Sequence, residues 1–272
     1  MRVIALVLAA LVGFAANSLL CRAALGAGSI DAATFTAIRL ASGALVLAIL
    51  ARRPRGGSWA SGGALFAYAA AFSFAYLRLT TATGALILFP TVQITLIGWG
   101  VARGERPRPI EWLGIAIALG GLVILTLPGL AAPDPVGAGL MAVAGVAWAV
   151  YTLRGRGAAN PLAVTADNFA RSLPFVAVLL ASLAVTGGHA TARGVVLAAS
   201  SGAIASGIGY SLWYAALPRL AATHAAIVQL PVPVLAATGG VLVLGEALTL
   251  RFVGCSAAIL GGVAIVLLAR RR

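Results

Sequence analysis

The chain alternates between long apolar runs and short breaks rich in Arg, Pro and Gly. Each run holds about 20 residues, the length that an α-helix needs to cross a hydrocarbon core of about 30 Å. The pattern predicts an all-α membrane protein with ten transmembrane helices. The predicted spans are residues 3–21, 32–51, 60–77, 80–101, 110–128, 136–153, 163–185, 194–216, 221–244 and 251–269.

The composition supports this interpretation. Of 272 residues, 61% are hydrophobic and 9% are charged, and the mean hydropathy is +1.05. Soluble domains contain about 25% charged residues. Because the breaks between the runs are short, we expect no soluble catalytic domain, and any activity must arise inside the helix bundle.

A shift of the chain by 141 positions reveals an internal duplication. The matched positions are Arg78-Leu79 with Arg219-Leu220, Pro90 with Pro231, Gly98 with Gly239, and Gly104-Glu105 with Gly245-Glu246. A weaker match aligns "TAIRLASG" around Arg39 with "NFARSLPF" around Arg171. These matches predict two five-helix repeats, residues 1–130 and 131–272. Five is an odd number, so the second copy enters the membrane from the opposite side. Such inverted repeats are typical of carriers that hold a solute near the midplane.

The net charge of +13 comes from nineteen arginines against six acidic residues. The arginines are scattered between spans, which argues against a nucleic-acid site on one folded face. With the N-terminus in the cytoplasm, thirteen of the nineteen lie at cytoplasmic ends: Arg2, Arg52, Arg53, Arg55, Arg103, Arg106, Arg108, Arg154, Arg156, Arg219, Arg270, Arg271 and Arg272. The charge bias therefore predicts a bacterial-type inner (plasma) membrane protein with both termini in the cytoplasm.

The stretch "LWYAALPRLAATHAAIVQLPVPVLAATGGVLVLGEALT" resembles the EamA-type members of the drug/metabolite transporter superfamily, as does the first-half stretch "ATGALILFPTVQITLIGWGVARGERPRPIEWLGIAIALGG". In this family the first span often carries a Trp-Gly pair, where this chain has "VGFAANS". The resemblance implies a ten-helix transporter in which spans 1, 3, 4, 6, 8 and 9 surround a central cavity.

Polar and aromatic residues on these spans are the candidates for solute binding. They are Asn17, Tyr68, Phe72, Tyr76, Gln93, Trp148, Tyr151, Tyr210, Trp213, Tyr214, His224 and Gln229. Aromatic side chains near the ends of spans also suit an interfacial belt, as we expect for Trp59, Trp99 and Trp112. Buried amides and a histidine also serve as hydrogen-bonding links between helices. No second ligand stands near His224, so we expect no metal site.

Other residues have structural roles in this interpretation. Pro90, Pro231 and Pro233 predict helix kinks, either beside the cavity or as static shape. Asp167 and Arg171 are spaced to pair on one helix, and Arg39 has Asp31 as its nearest acid in sequence. We expect structural pairing for these charges, and solute binding is the alternative. Further structural expectations concern Ala116/Gly120 and Ala257/Gly261 as helix-packing pairs, Cys21 and Cys255 as buried free thiols, and Glu105 and Glu246 as end anchors or gate contacts.

The sequence therefore predicts a secondary transporter, most simply an exporter of amino acids or related small amphipathic metabolites. It contains no GxxxxGK[ST] motif for ATP and no HExxH or GxSxG motif, so we expect neither a cofactor nor enzymatic activity. The expected partners are a small-molecule solute and membrane lipids, and the expected state is a monomer or homodimer. The alternatives are a lipid flippase subunit and an intramembrane enzyme.

Overall fold

A computed structural model describes residues 2–104, 108–126, 132–155, 158–181, 183, 187–216 and 231–269. Within these ranges the apolar runs are helical. A helix satisfies its backbone hydrogen bonds within one segment, which a chain surrounded by lipid requires.

The helices follow the predicted spans. They are α1 (Arg2–Leu25), α2 (Ala32–Ala51), α3 (Trp59–Tyr76), α4 (Thr81–Ala102), α5 (Pro109–Thr126), α6 (Pro135–Gly155), α7 (Pro161–Ala181), α8, α9 (Val232–Leu244) and α10 (Leu250–Ala269). α8 consists of two α-helical parts, Ala192–Ser200 and Gly209–Ala216, and a π-helical segment, Ser201–Ile208, between them. The bounds of α2 to α6 and of α10 lie within two residues of the predicted ones. Residues 221–230 of the predicted ninth span lie outside the described residues.

Six of the described helices are long and apolar enough to cross a membrane: α1, α2, α4, α6, α7 and α8. α5, α9 and α10 contain shorter apolar segments. The predicted interface anchors Trp59, Trp99 and Trp112 are about half exposed, as expected for side chains that face lipid headgroups. Both cysteines are buried free thiols, which confirms that prediction.

The connections between helices meet at two opposite ends of the bundle. At the Ile30 end, Ile30 and Ala190 form an antiparallel bridge between the α1–α2 and α7–α8 connections. At the Gly57 end, the backbone N–H of Gly57 donates to the Asp167 carboxylate at 2.8 Å and joins the α2–α3 connection to α7. α2 and α7 therefore run from one end to the other.

The packing partners of the helices follow a reciprocal pattern. α1 packs against α8 and α9, while α6 packs against α3 and α4. α2 packs against α7, α4 against α9, and α5 against α10. The core therefore lies between helices that are far apart in sequence.

The seam between α5 and α10 uses other residues than we predicted. Ala116 and Ala257 are exposed, and a Cβ added at Gly120 or Gly261 would meet no atom within 4 Å. The close approach occurs instead at Gly114 of α5 and Gly262 of α10, where a Cβ added at Gly114 would lie 2.6 Å from the Gly262 carbonyl oxygen. The small-residue motif was recognised, but its face was wrong because neighbouring small residues point in different directions around a helix.

The predicted kink prolines lie on α4 and at the first described residues of α9. Pro90 lies inside α4, as predicted. Pro231 precedes the first described residue of α9, and Pro233 is the second residue of that helix. The residues before them, 217–230, lie outside the described residues, so the kinks at Pro231 and Pro233 stay predictions.

The π-helical segment brings α8 against α2. A Cβ added at Gly202 would collide with the Arg39 carbonyl oxygen and with Ser42 Oγ, so only glycine fits between the two helices there. π-helical turns are rare and often occur at functional sites. In this protein the segment supplies Ser201 and Ser206 to a buried polar network described below.

Candidate solute cavity

A cavity lies in the centre of the bundle between α1, α3, α4, α6 and α8. The space between its lining side chains is about 410 Å³ when the open region at its mouth is counted, and the enclosed part is much smaller. The lining residues are mainly aromatic: Phe14, Asn17, Ser18, Tyr68, Phe72, Leu88, Phe89, Trp148 and Tyr210. Five of the predicted binding residues, namely Asn17, Tyr68, Phe72, Trp148 and Tyr210, therefore share one cavity.

The aromatic wall is continuous across both halves of the chain. The Trp148 ring lies 4.8 Å from the Tyr68 ring and 5.1 Å from the Tyr210 ring, measured between centroids. Tyr210 also makes an edge contact with Phe14 at 5.9 Å. Such a wall offers both apolar area and ring faces that attract cations.

Of the other predicted residues, those whose side chains the structure describes lie outside the lining. Tyr151 packs on Trp148, Trp213 packs on Phe14, and Tyr76 packs on Phe72, so each supports a lining ring from behind. Gln93 is buried on α4, one turn beyond Phe89. His224 and Gln229 lie outside the described residues, as does the side chain of Tyr214.

A polar network runs from the cavity into the protein. Asn17 Nδ2 donates to the Tyr68 hydroxyl at 3.4 Å, and Ser201 Oγ donates to Asn17 Oδ1 at 2.6 Å. Behind Tyr68, Arg39 Nη2 donates to the same hydroxyl at 3.1 Å, and Arg39 Nε donates to Ser206 Oγ at 3.5 Å. The network joins α1, α2, α3 and the π-helical segment of α8.

Arg39 is the residue that our sequence interpretation misjudged. We expected a structural pairing with Asp31, yet Asp31 caps the start of α2 and accepts hydrogen bonds from the Thr34 and His189 backbone N–H groups. Arg39 is instead 1% exposed and lies over the rings of Tyr68 and Phe72, with its guanidinium carbon 5.1 and 4.9 Å from their centroids. Its pairing could not be read from sequence because these partners come from other helices.

The related arginine of the second half behaves as predicted. Arg171 Nε lies 3.2 Å from Asp167 Oδ1, so the two residues form an ion pair within α7. The Arg171 side chain is 32% exposed and lies over the Trp59 ring at 5.3 Å. The two arginines therefore occupy different environments.

A second polar cluster stands at the Ile30 end. Both carboxylate oxygens of Glu246 accept a hydrogen bond from the Thr81 backbone N–H at 2.9 Å, at the positive end of the α4 dipole. Arg22 Nε lies 3.5 Å from the same carboxylate, and Arg22 Nη1 donates to the Tyr76 carbonyl oxygen at 3.0 Å. Glu246 thus connects the α9–α10 connection to α1 and α4. Its predicted counterpart, Glu105, lies outside the described residues.

Comparisons with known proteins agree with this architecture. An uncharacterized protein of Pseudomonas aeruginosa is 53% identical over 99% of this chain and 96% of its own length. An uncharacterized transporter of Archaeoglobus fulgidus is 32% identical over 60% of this chain and 59% of its own length. The uncharacterized inner membrane transporter YedA of Escherichia coli is 27% identical over 36% of this chain and 32% of its own length.

A solved crystal structure shares the fold with a TM-score of 0.65, at 24% sequence identity, over 97% of this chain and 99% of that one. Residues 135–268 match the EamA-like transporter family. Together with the apolar helices and the central cavity, these similarities identify the chain as a membrane transporter that belongs to the EamA-like family.

Proposed function

We propose that this protein is an inner-membrane secondary transporter that exports amino acids or related small amphipathic metabolites by alternating access. The observation that carries the proposal is the shared cavity. Phe14 and Tyr68 line it from the first predicted repeat, and Trp148 and Tyr210 line it from the second. A solute bound there touches both halves, so a movement of one half against the other changes its access.

The packing of the helices supports an inverted repeat. If α1 to α5 correspond to α6 to α10, the contacts of α1 with α8 and α9 become those of α6 with α3 and α4, and both sets occur. The α2–α7, α4–α9 and α5–α10 contacts map onto themselves. A two-fold relationship between the halves predicts this pattern, and five helices per half would make the two halves opposite in orientation.

The cluster around Glu246 supports a role as a gate contact. It connects segments from both predicted repeats at the Ile30 end, through Arg22 and Thr81 of the first and Glu246 of the second. Ser18, which lines the cavity, precedes Arg22 by one helical turn. In the proposed cycle this cluster holds the Ile30 end closed and separates when that end opens.

The lining supports a small amphipathic solute. Aromatic rings supply most of the wall, while Asn17, Ser18 and the Tyr68 hydroxyl supply the polar groups. Binding sites for small molecules combine an apolar wall with a few placed polar groups in this way. The inner-membrane location follows from the arginine bias of the sequence and is supported by the printed description of the YedA relative.

Transport assays with purified protein in liposomes test the proposal. Labelled amino acids, nucleosides and sugars are offered separately, with empty liposomes and a Trp148→Ala variant as controls. We expect saturable flux of at least one amino acid and a loss of at least about tenfold in the variant, because Trp148 supplies the centre of the wall. Leaflet exchange of labelled lipid without solute flux would favour a flippase, and chemically modified lipid would favour an enzyme.

A further inference from the structure

We propose that the cavity recognises its solute through a carboxylate group and that Arg39 is the cation responsible. The inference rests on the proposed transport function, because it names the chemistry of the solute that enters the same cavity. It follows from four features of the described residues: an uncompensated buried charge, an unused donor, a hydroxyl link to the cavity, and the charge of the lining.

The charge of Arg39 has no acidic partner among the described residues. Each of the five described acids is engaged elsewhere. Asp31 accepts hydrogen bonds from Thr34 and His189, and Glu111 accepts one from Arg108. Asp134 accepts a hydrogen bond from Arg78, and Asp167 accepts hydrogen bonds from Arg171 and Gly57. Glu246 accepts a hydrogen bond from Thr81 and lies near Arg22. Removing an ion from water costs several kcal/mol even after the protein relaxes. The rings of Tyr68 and Phe72 offset part of that cost.

The Arg39 guanidinium also has an unused hydrogen-bond donor. Arginine presents five N–H donors in a planar fork. Nη2 and Nε of Arg39 donate to neutral hydroxyl groups, and within the described structure Nη1 has no hydrogen-bond partner although it is fully buried. Buried donors are usually satisfied, so an unused one on a charged group indicates a missing acceptor.

The link to the cavity is the Tyr68 hydroxyl. Its oxygen accepts from Arg39 on one side and from Asn17 on the other. A phenol that accepts two hydrogen bonds still has its own proton to donate, and neighbouring donors strengthen that donation. Because Tyr68 and Asn17 both line the cavity, the positive potential of Arg39 is presented to a bound solute through them.

The lining determines which solute fits. Among the residues that the structure describes, no acidic side chain lines the cavity, and the wall is formed mainly by aromatic rings. One buried positive charge matches a monoanion, whereas a doubly charged phosphate would leave negative charge uncompensated in an apolar site. The structure therefore points to an amphipathic monocarboxylate, including the carboxylate end of an amino acid.

Binding of matched acids and amides to the detergent-purified full chain tests the inference. The probes are three pairs, phenylacetate and phenylacetamide, benzoate and benzamide, and L-leucine and L-leucinamide, measured by equilibrium dialysis. Within each pair the apolar body is constant and the carboxylate is replaced by an amide. We expect at least one acid to bind at least about tenfold more tightly than its amide, as hydrogen bonds to a charged group predict.

Arg39→Gln should reduce that preference to within about twofold, Arg39→Lys should retain part of it, and Tyr68→Phe should weaken it. Arg171→Gln is the matched control, since this arginine is paired with Asp167 and does not line the cavity. The inference is overturned if no acid is preferred over its amide, if none of the acids binds, or if the preference survives Arg39→Gln. If Arg39→Gln does not yield folded protein, the affinities of the unaltered protein for each acid and its amide still decide whether a carboxylate is preferred.

Flux measurements separate this inference from the proposed function. Arg39-dependent binding of an acid with no flux of any solute would refute transport and retain the carboxylate site. Flux of neutral or cationic solutes, with no preference for acids in the dialysis assay, would retain transport and refute the carboxylate site.

Discussion

Arg39 and Arg171, one in each half of the chain, have opposite environments. Arg39 of α2 and Arg171 of α7 lie on helices that pack against each other, and a glycine of a neighbouring helix, Gly202 or Gly62, contacts the backbone at each. Arg171 pairs with Asp167, yet Arg39 is fully buried with no acid beside it among the described residues. The predicted duplication aligns these two arginines, yet their partners differ, and of the two only Arg39 is hydrogen-bonded to a described residue that lines the cavity.

The largest expected effect comes from replacing Arg39 by an apolar residue of similar length. Arg39→Met should raise the thermal stability of the protein, because apolar replacement of buried ionic groups is often stabilising by about 1–4 kcal/mol. The same variant should lose at least about tenfold in flux of the transported acid. Melting curves of detergent-purified protein and liposome flux measure the two effects.

Arg171→Met is the contrasting variant. It removes a partly exposed ion pair, so we expect a loss of no more than about 1 kcal/mol and flux close to that of the parent. If Arg39→Met is the more destabilising variant, or if both lose flux equally, the contrast between the two arginines is wrong.

The next largest expected difference is in the stability lost when the glycine beside each arginine is replaced by alanine. Gly202→Ala would drive a Cβ into the Arg39 carbonyl oxygen, and we expect it to cost about 1–3 kcal/mol of stability. Gly62→Ala places its Cβ 2.9 Å from Arg171 Cβ, a milder overlap, and should cost less. Melting temperatures of the two variants rank them; a larger loss for Gly62→Ala would contradict the closer packing of α2 against α8.

The Glu246 cluster offers a comparison between the two ends. Glu246→Gln removes the charge that faces Arg22 and the start of α4, so the Ile30 end should open more often. In a Cys21→Ala/Cys255→Ala background, a cysteine replacing Ser18 should then react several-fold faster with a membrane-impermeant maleimide added from that side.

Asp134→Asn serves as the matched control, because Asp134 forms an exposed ion pair with Arg78 at the same end. Its labelling rate should equal that of the parent. The predicted duplication aligns Glu246 with Glu105, so on the proposed inverted repeat Glu105→Gln should lower the labelling rate where Glu246→Gln raises it. Unchanged labelling in the Glu246→Gln variant would remove this cluster from the transport cycle.

The smallest expected difference concerns the caps of α2 and α7. Asp31 caps α2, and Asn160 accepts from the Ala163 N–H at the start of α7. Partial burial raises the pKa of Asp31, but hydrogen bonds from the Thr34 and His189 N–H groups outweigh it and hold that pKa below its usual value. The carboxylate therefore stabilises the fold above the unfolded pKa of about 3.9, and this contribution is lost as the pH falls through the lower folded pKa.

Alanine at either cap should cost about 1 kcal/mol at neutral pH. The cost of Asp31→Ala should shrink toward pH 3, whereas that of Asn160→Ala should remain constant. Melting temperatures across pH 3 to 7 distinguish them, and parallel pH profiles for the two variants would show that Asp31 does not titrate as described.

Much of the helical framework could be predicted from sequence, because the length of each apolar run gives the length of its helix and the Arg, Pro or Gly residues after the run mark the end of the helix. The aromatic lining was also accessible, since Tyr68 and Phe72 repeat at helical spacing on one span. The hydrogen bonds of Arg39 could not be predicted, because its partners lie on α3 and α8. One signal was available in the repeat: four residues before Arg171 stands Asp167, and four before Arg39 stands Phe35.

The close fit of Gly202 against the Arg39 backbone has a mechanical consequence. It ties the charge to α2 and α8, which the Ile30–Ala190 bridge also fastens near their starts. The rings of Tyr68 and Phe72 belong to α3, whose most extensive contact is with α6. In the proposed transport cycle, a sliding of α3 along α2 would carry these rings past the guanidinium. The distance of 4.9 Å between the Arg39 guanidinium carbon and the Phe72 ring centroid would then change with each transition.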